Sequence, residues 1–125
     1  MRKCYPDESI GFINIDAGYL VLEIQKAGNT KALFDYAKAK AIQYMLIDEI
    51  QENIHKAKAM IETFTTKYDR ILFTICMDVV DSAYAPGVSA PAVFGMTPFQ
   101  LEYIVQAVLH TTNINSVSIV EMNPQ

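Results

Sequence analysis

The sequence predicts an α/β fold: a mostly parallel sheet with helices flanking it in three layers, within one domain spanning residues 1–125. Three observations lead there. From Tyr19 onward, apolar runs of strand length alternate with helical patterns, which in one dimension is the signature of a parallel sheet with right-handed crossovers. The composition is that of a folded chain, 51% hydrophobic and 19% charged. A length of 125 residues allows a single modest core.

Taken in order, Ile10–Asp16 (IGFINID) reads as a buried strand ending on an acid, and Tyr19–Ile24 (YLVLEI) as a second. Asn29 is the expected cap of a helix running to about Lys40, with Leu33, Phe34 and Ala37 on one face. Gln43–Ile47 is a third strand. Asp48, with Gln51 three residues on, has the form of a capping box. The helix it opens carries Ile50, Ile54, Ala57, Ile61 and Phe64 at a 4-3-4-3 spacing, one continuous apolar stripe. Arg70–Met77 is a fourth strand. Thr97-Pro98 opens the last helix, with Pro at its first position, Gln100 at the capping-box position and Leu101, Ile104, Val105, Val108 and Leu109 as its buried face. Ser116–Glu121 is a fifth strand.

Charge and cysteine usage exclude several classes. A formal charge of −4 with no basic cluster argues against a nucleic-acid surface. No run approaches a membrane span or a signal peptide, and the opening Met1–Glu8 reads like that of a cytosolic protein, so the expected location is cytoplasmic. Cys4 and Cys76 are too far apart and unpatterned for a disulfide framework or a zinc knuckle. A nucleotide-binding fold would fit the alternation but lacks a Gly-x-Gly-x-x-Gly turn after any strand.

One junction breaks the alternation. Only Asp16-Ala17-Gly18 separate the first two strands, whereas a parallel crossover needs about a dozen residues or more. A hairpin, a single bent strand and the loss of an intervening segment all fit. The chain also stops just after its last strand, leaving that strand without the helix expected to cover it. A sheet that lacks covering helices exposes apolar faces, and the expected outcome is a homo-oligomer or poor solubility.

The chemistry is concentrated in Arg70–Thr97. An apolar strand ends at Asp78 and Asp81, and a loop rich in Pro, Gly, Ser and Ala follows before the next helix. Open α/β sheets bind ligands beyond the carboxyl ends of their strands. The run Cys76-Met77-Asp78-Val79-Val80-Asp81, then Ala85-Pro86-Gly87-Val88-Ser89-Ala90-Pro91 and Gly95-Met96-Thr97-Pro98, resembles the signature of the ureohydrolase family of arginases, agmatinases and formimidoylglutamases. Val120-Glu121-Met122-Asn123-Pro124 is similar to that family's Glu-Val-Asn-Pro strand end. The resemblance covers Tyr19–Gln125 and is closest to the formimidoylglutamase branch, which hydrolyses N-formimidoyl-glutamate to glutamate and formamide in histidine breakdown.

The resemblance implies an arginase-like sheet, a small amidine substrate and two manganese ions holding a bridging hydroxide that attacks the amidine carbon. It also implies that Glu121 pairs with the substrate's amidinium-like end; Ser89, in the same loop, is a candidate to hydrogen-bond substrate. Of the family's ligand motifs the chain keeps only part. It contains no Gly-Gly-Asp-His segment. Asp16-Ala17 match the start of Asp-Ala-His-x-Asp, but Gly18 and Leu20 stand where its His and second Asp belong. In the Asp-x-Asp motif, Asp78 matches the second Asp and Cys76 occupies the first position. The implied metal ligands are therefore Asp16, Asp78 and Cys76, and a thiolate is softer than manganese prefers. The junction near residues 16–19 then reads as an internal deletion, and the domain as an incomplete, C-terminally shortened one.

Each residue also has a plainer role. Asp78 and Asp81 can cap turns, and Asp81 is expected to hold the loop. Cys76 can be an inert buried thiol, Glu121 a solvated strand-end carboxylate and Ser89 a turn cap. Gly87 and Pro86 are expected to shape the loop. His55 and His110 fall off the apolar stripes and are expected at the surface. Two functions follow: an amidine hydrolase of the formimidoylglutamase type, and a non-catalytic remnant that acts through assembly.

Overall fold

A computed structural model of the chain describes residues 18–26 and 29–123. The strand expected at Ile10–Asp16 lies outside them. The described elements are β1 (Leu20–Ile24), α1 (Lys31–Ala39), β2 (Gln43–Leu46), α2 (Ile47–Glu52), α3 (Ile54–Thr65), β3 (Ile71–Cys76), α4 (Pro98–Leu109) and β4 (Ile114–Val120). β1 pairs in parallel with β2, and β3 with β4, as two separate two-stranded sheets. All four described strands are thus parallel-paired, as the alternation predicts.

The two pairs share one core. Met45 of β2, Ile47 and Ile50 of α2, Ala57 and Ile61 of α3, and Ile104, Ala107 and Val108 of α4 form a buried cluster. Leu20 and Leu22 of β1, Phe73 of β3 and Ile114 of β4 pack against it. Side chains alternate across a strand, so Tyr44, next to Met45, faces the other way and meets Phe34 of α1 with ring centroids 5.6 Å apart. Helix α1 therefore covers one face of the β1–β2 pair and α2–α4 the other, a three-layer arrangement. Over β3 and β4 no described element covers the α1 side. Leu72 is 76% exposed there, beside the Thr74–Ser118 hydroxyl pair at 2.9 Å.

The long helix expected from Asp48 is two helices. Asn53 adopts extended angles (φ −158°, ψ 92°), ends α2 and caps α3 by accepting from His55 N at 3.1 Å. Helix α2 begins two residues earlier than the capping-box reading placed it, with Leu46 rather than Asp48 at the cap position. Glu49, not Gln51, reaches back to the backbone, accepting from Leu46 N at 2.9 Å. Similarly, Thr30 rather than Asn29 precedes α1, and the Asn29 amide donates to Gln25 O at 2.8 Å.

The Thr97 cap is as the sequence suggests. Thr97 Oγ1 accepts from Gln100 N at 3.3 Å, and Gln100 Oε1 accepts from Thr97 N at 2.9 Å. Replacing Thr97 with Ala removes one of these reciprocal bonds at an otherwise uncapped end. It is expected to lower stability by about 1 kcal/mol in urea unfolding. The buried face of α4 is Ile104, Ala107 and Val108, while Leu109 is 51% exposed.

Candidate functional site

Three carboxylates gather at the carboxyl ends of the strands. Asp78 sits in a single 3₁₀ turn, Met77–Val79, directly after β3. Glu121 follows β4, and Glu23 is the fourth residue of β1. The register between β1 and β2 is irregular between Leu22 and Ile24, and Glu23 occupies that bulge at φ 67°. Glu121 has φ 66°. A left-handed backbone costs a residue with a Cβ about 1 kcal/mol or more, so both carboxylates are held in strained conformations.

The local electrostatics are unfavourable to negative charge. Burial pushes the Glu23 carboxyl up from 4.5 to about 8, and the Asp78 charge pushes the same way. Its Oε1 is shut away from solvent with no hydrogen-bond partner among the described residues. Asp78 is also raised, first by burial and then by Glu121. Such shifts describe carboxyls crowded together with no cation among the described residues to offset them.

A clamped loop forms the other wall. Ser89 Oγ donates to Glu121 Oε2 in a short hydrogen bond. Backbone pairing fixes that contact: Val88 bridges Met122 in antiparallel sense, and Asn123 N donates to Gly87 O at 2.9 Å. Asp81 holds the base of the loop. Its Oδ1 accepts from Ala83 N at 2.9 Å and its Oδ2 from Gly95 N at 3.1 Å, while its own N–H donates to Met96 O at 2.9 Å. The structural role expected of Asp81 is the one these bonds show. The glycine that the loop requires is Gly95, which abuts the Val79–Asp81 backbone. A Cβ at Gly87 would meet only Asn123 O, at 3.7 Å.

Asp78, Glu121 and Ser89 thus come to one end of the sheet. Cys76 is the half-buried last residue of β3, and Asp16 lies outside the described residues. His55 and His110 are exposed, with Nδ1 bonded to Tyr103 Oη at 2.8 Å and to Gln106 O at 2.6 Å respectively. Glu23 was not singled out by its spacing. The available signal was a charged residue inside the apolar run LVLEI.

The described donors do not by themselves complete a manganese pair. Among the described residues no three His, Cys, Asp or Glu side chains converge closely enough to hold an ion. The Glu23–Asp78–Glu121 group is coupled through charge without converging on a point.

Parallel strands with helices on both faces, and a clamped Asp-bearing loop at the strands' carboxyl ends, define an α/β protein with its candidate site beyond the strand ends. The chain belongs to the arginase family, whose model matches residues 11–125. It is 45% identical over 150 aligned residues to a formimidoylglutamase of Staphylococcus aureus (strain MRSA252), covering 98% of this chain and 48% of that protein. Among solved structures, the formimidoylglutamase of Bacillus subtilis superposes with a TM-score of 0.79 at 29% identity, covering 84% of this chain and 33% of that one. Arginase from Bacillus caldovelox gives 0.75 at 19% identity, over 84% and 35%, a likeness of fold. The chain spans about half the length of the curated relatives it matches. No helix among the described residues is long and apolar enough to cross a membrane.

Proposed function

We propose that this chain carries the substrate-side wall of a formimidoylglutamase-type site and does not hydrolyse N-formimidoyl-glutamate by itself. The observation that carries this is the Ser89–Glu121 hydrogen bond beside Asp78. It orients an anionic carboxylate at the strand ends, where the amidinium-like end of a small substrate can pair with it. Ser89 holds Glu121 and retains acceptor capacity for a substrate N–H.

The family's chemistry takes its nucleophile from a hydroxide held by two manganese ions. Asp78 is the described position that matches the family's ligand motif best, with Cys76 and Asp16 as the other two. The alignment to the S. aureus relative supports an internal deletion, which the short connection at residues 16–19 leads us to place there. Its 150 aligned positions exceed the 125 residues of this chain by 25, so the relative carries residues inside the aligned span that have no counterpart here. We place the protein in the cytoplasm as a homo-oligomer, with apolar side chains such as Val117 and Ile119, 49% and 58% exposed, available for subunit contacts.

The competing reading is a working amidine hydrolase, favoured by the 45% identity to a formimidoylglutamase. Metal analysis by mass spectrometry, run beside an assay for formamide release in added manganese, separates the two. The expected result is substoichiometric manganese and no formamide above the blank. Stoichiometric manganese with turnover would sink the proposal.

A further inference from the structure

Two glutamine amides reach the loop beyond β3 from the other strand pair and its helix. Gln25, the residue after β1, donates from Nε2 to Val93 O at 3.1 Å. Gln51 of α2 donates from Nε2 to Phe94 O at 3.2 Å. The partners lie 68 and 43 positions apart, so these are tertiary ties and not turn chemistry. The flanks of the same stretch are fastened on the β3 side. Ala92 O accepts from Ser82 N at 2.8 Å, Met96 O accepts from Asp81 N at 2.9 Å, and Gly95 N donates to Asp81 Oδ2 at 3.1 Å. Val93 and Phe94 thus form a crest whose base is tied to Asp81 and whose carbonyls are held by Gln25 and Gln51.

The crest is held rather than packed. Phe94 has φ 61°, a left-handed conformation that a bulky residue takes only where its surroundings impose it. Phe94 is 78% exposed and Val93 65%, so burial of these side chains does little to offset the strain. The two consecutive carbonyl bonds are the contacts that impose the conformation. Gln25 also meets the site from its other side. It lies two residues past Glu23, and its side chain hydrogen-bonds the Glu23 carboxyl. A primary amide carries two N–H donors, one for each neighbour.

We propose that Gln25 and Gln51 are positioning residues for the candidate site: by holding the Val93–Phe94 crest they set where the Ser89–Glu121 wall stands relative to Glu23 and Asp78. This rests on the reading of Glu121 as the carboxylate that meets the substrate, and extends it to two side chains that act through the loop. Ser89 and Val93 belong to one loop fastened at both ends. Near Ser89 the ties are Val88 to Met122 and Asn123 N to Gly87 O. Near Val93 they are the bonds to Asp81 and Ser82. Displacing the crest of such a loop displaces Ser89, and Ser89 Oγ donates to Glu121 Oε2. In a positioned site a shift of about 1 Å is worth up to about 100-fold.

Neutral substitutions that remove the amide donor test this in the full chain. Gln25→Met and Gln51→Met keep the side-chain length and lose the N–H. In NMR each is expected to move the Glu121 carboxyl carbon and the Ser89 amide, while Tm stays within about 2 °C of the parent. Gln51→Arg, which keeps a donor of sufficient reach, is expected to restore the parent resonances. Changes confined to residues 92–95, with Ser89 and Glu121 unmoved, would overturn the proposal. A Gln51→Arg spectrum as displaced as that of Gln51→Met would overturn it too. Formamidinium titrated into the same samples is expected to bind the two Met variants about tenfold or more weakly than the parent, and equal affinities count against the proposal. Should the unmodified chain not bind formamidinium, the substrate role of Glu121 falls. The Ser89 and Glu121 resonances then still decide whether the two glutamines set their position.

Discussion

Raising the pH from 5 to 8 is expected to destabilise the chain by on the order of 3 kcal/mol, the reverse of the acid lability usual for salt-bridged carboxylates. The cause is Glu23. Its carboxyl is pushed up from 4.5 to about 8 by burial and by the Asp78 charge. In the window between those values the folded chain keeps a proton on Glu23 that the unfolded chain releases. The folded state then binds more protons, and stability falls as pH rises. The contribution is fully present below about pH 4.5 and is lost through pH 8. Asp78 is shifted in the same direction and adds to the slope. A domain of this size is stable by roughly 5–15 kcal/mol, so the change is a large share of the total. Urea titrations at half-unit pH intervals would measure it, with Glu23→Gln as the control that flattens the slope. Glu23→Gly is expected to flatten it and add about 1 kcal/mol more, because glycine accepts φ 67° without strain. A stability that rises from pH 5 to 8 in the unmodified chain would refute the assignment.

Gly95→Ala is the substitution expected to do most damage for one added methyl. A Cβ there would lie 2.6 Å from Asp81 N, 2.7 Å from Val79 O and 2.9 Å from Asp81 Cα. All three are backbone atoms, so no side chain can swing aside. Relief requires separating the segments joined by Met96 N to Val79 O, at 2.8 Å, and Asp81 N to Met96 O, at 2.9 Å. Loss of that pairing together with the overpacking is expected to cost about 3 kcal/mol or more, read as a fall of roughly 10 °C in Tm. Gly87→Ala, whose new methyl meets only one carbonyl at 3.7 Å, should melt within about 2 °C of the parent. Equal melting temperatures for the two variants would show that the loop is not clamped as described.

How far the sequence reveals this fold depends on whether the deciding contact is local. The Thr97 cap and α4 were legible because the capping residues and the Pro lie within four positions of one another. That Asp78, Glu121 and Ser89 lie together at one end of the sheet was legible through motif order. The break at Asn53 was not, because the apolar stripe from Ile50 to Phe64 keeps its helical period across it, and Asn reads as an ordinary surface residue. Glu23 was missed because its burial comes from elements far along the chain. The distinction between Gly87 and Gly95 likewise rests on a backbone that returns across more than a dozen residues.

β4 brings Glu121 to the site, and it is also the outermost described strand of its pair, hydrogen-bonded only to β3. Its seven residues, INSVSIV, contain no charge and no proline, the two features that natural edge strands use to repel one another. Among the described residues its outer row of amides and carbonyls has no strand beside it. The strand that ends beside Glu121 is thus also, among the described residues, the one least protected against pairing with a second extended chain.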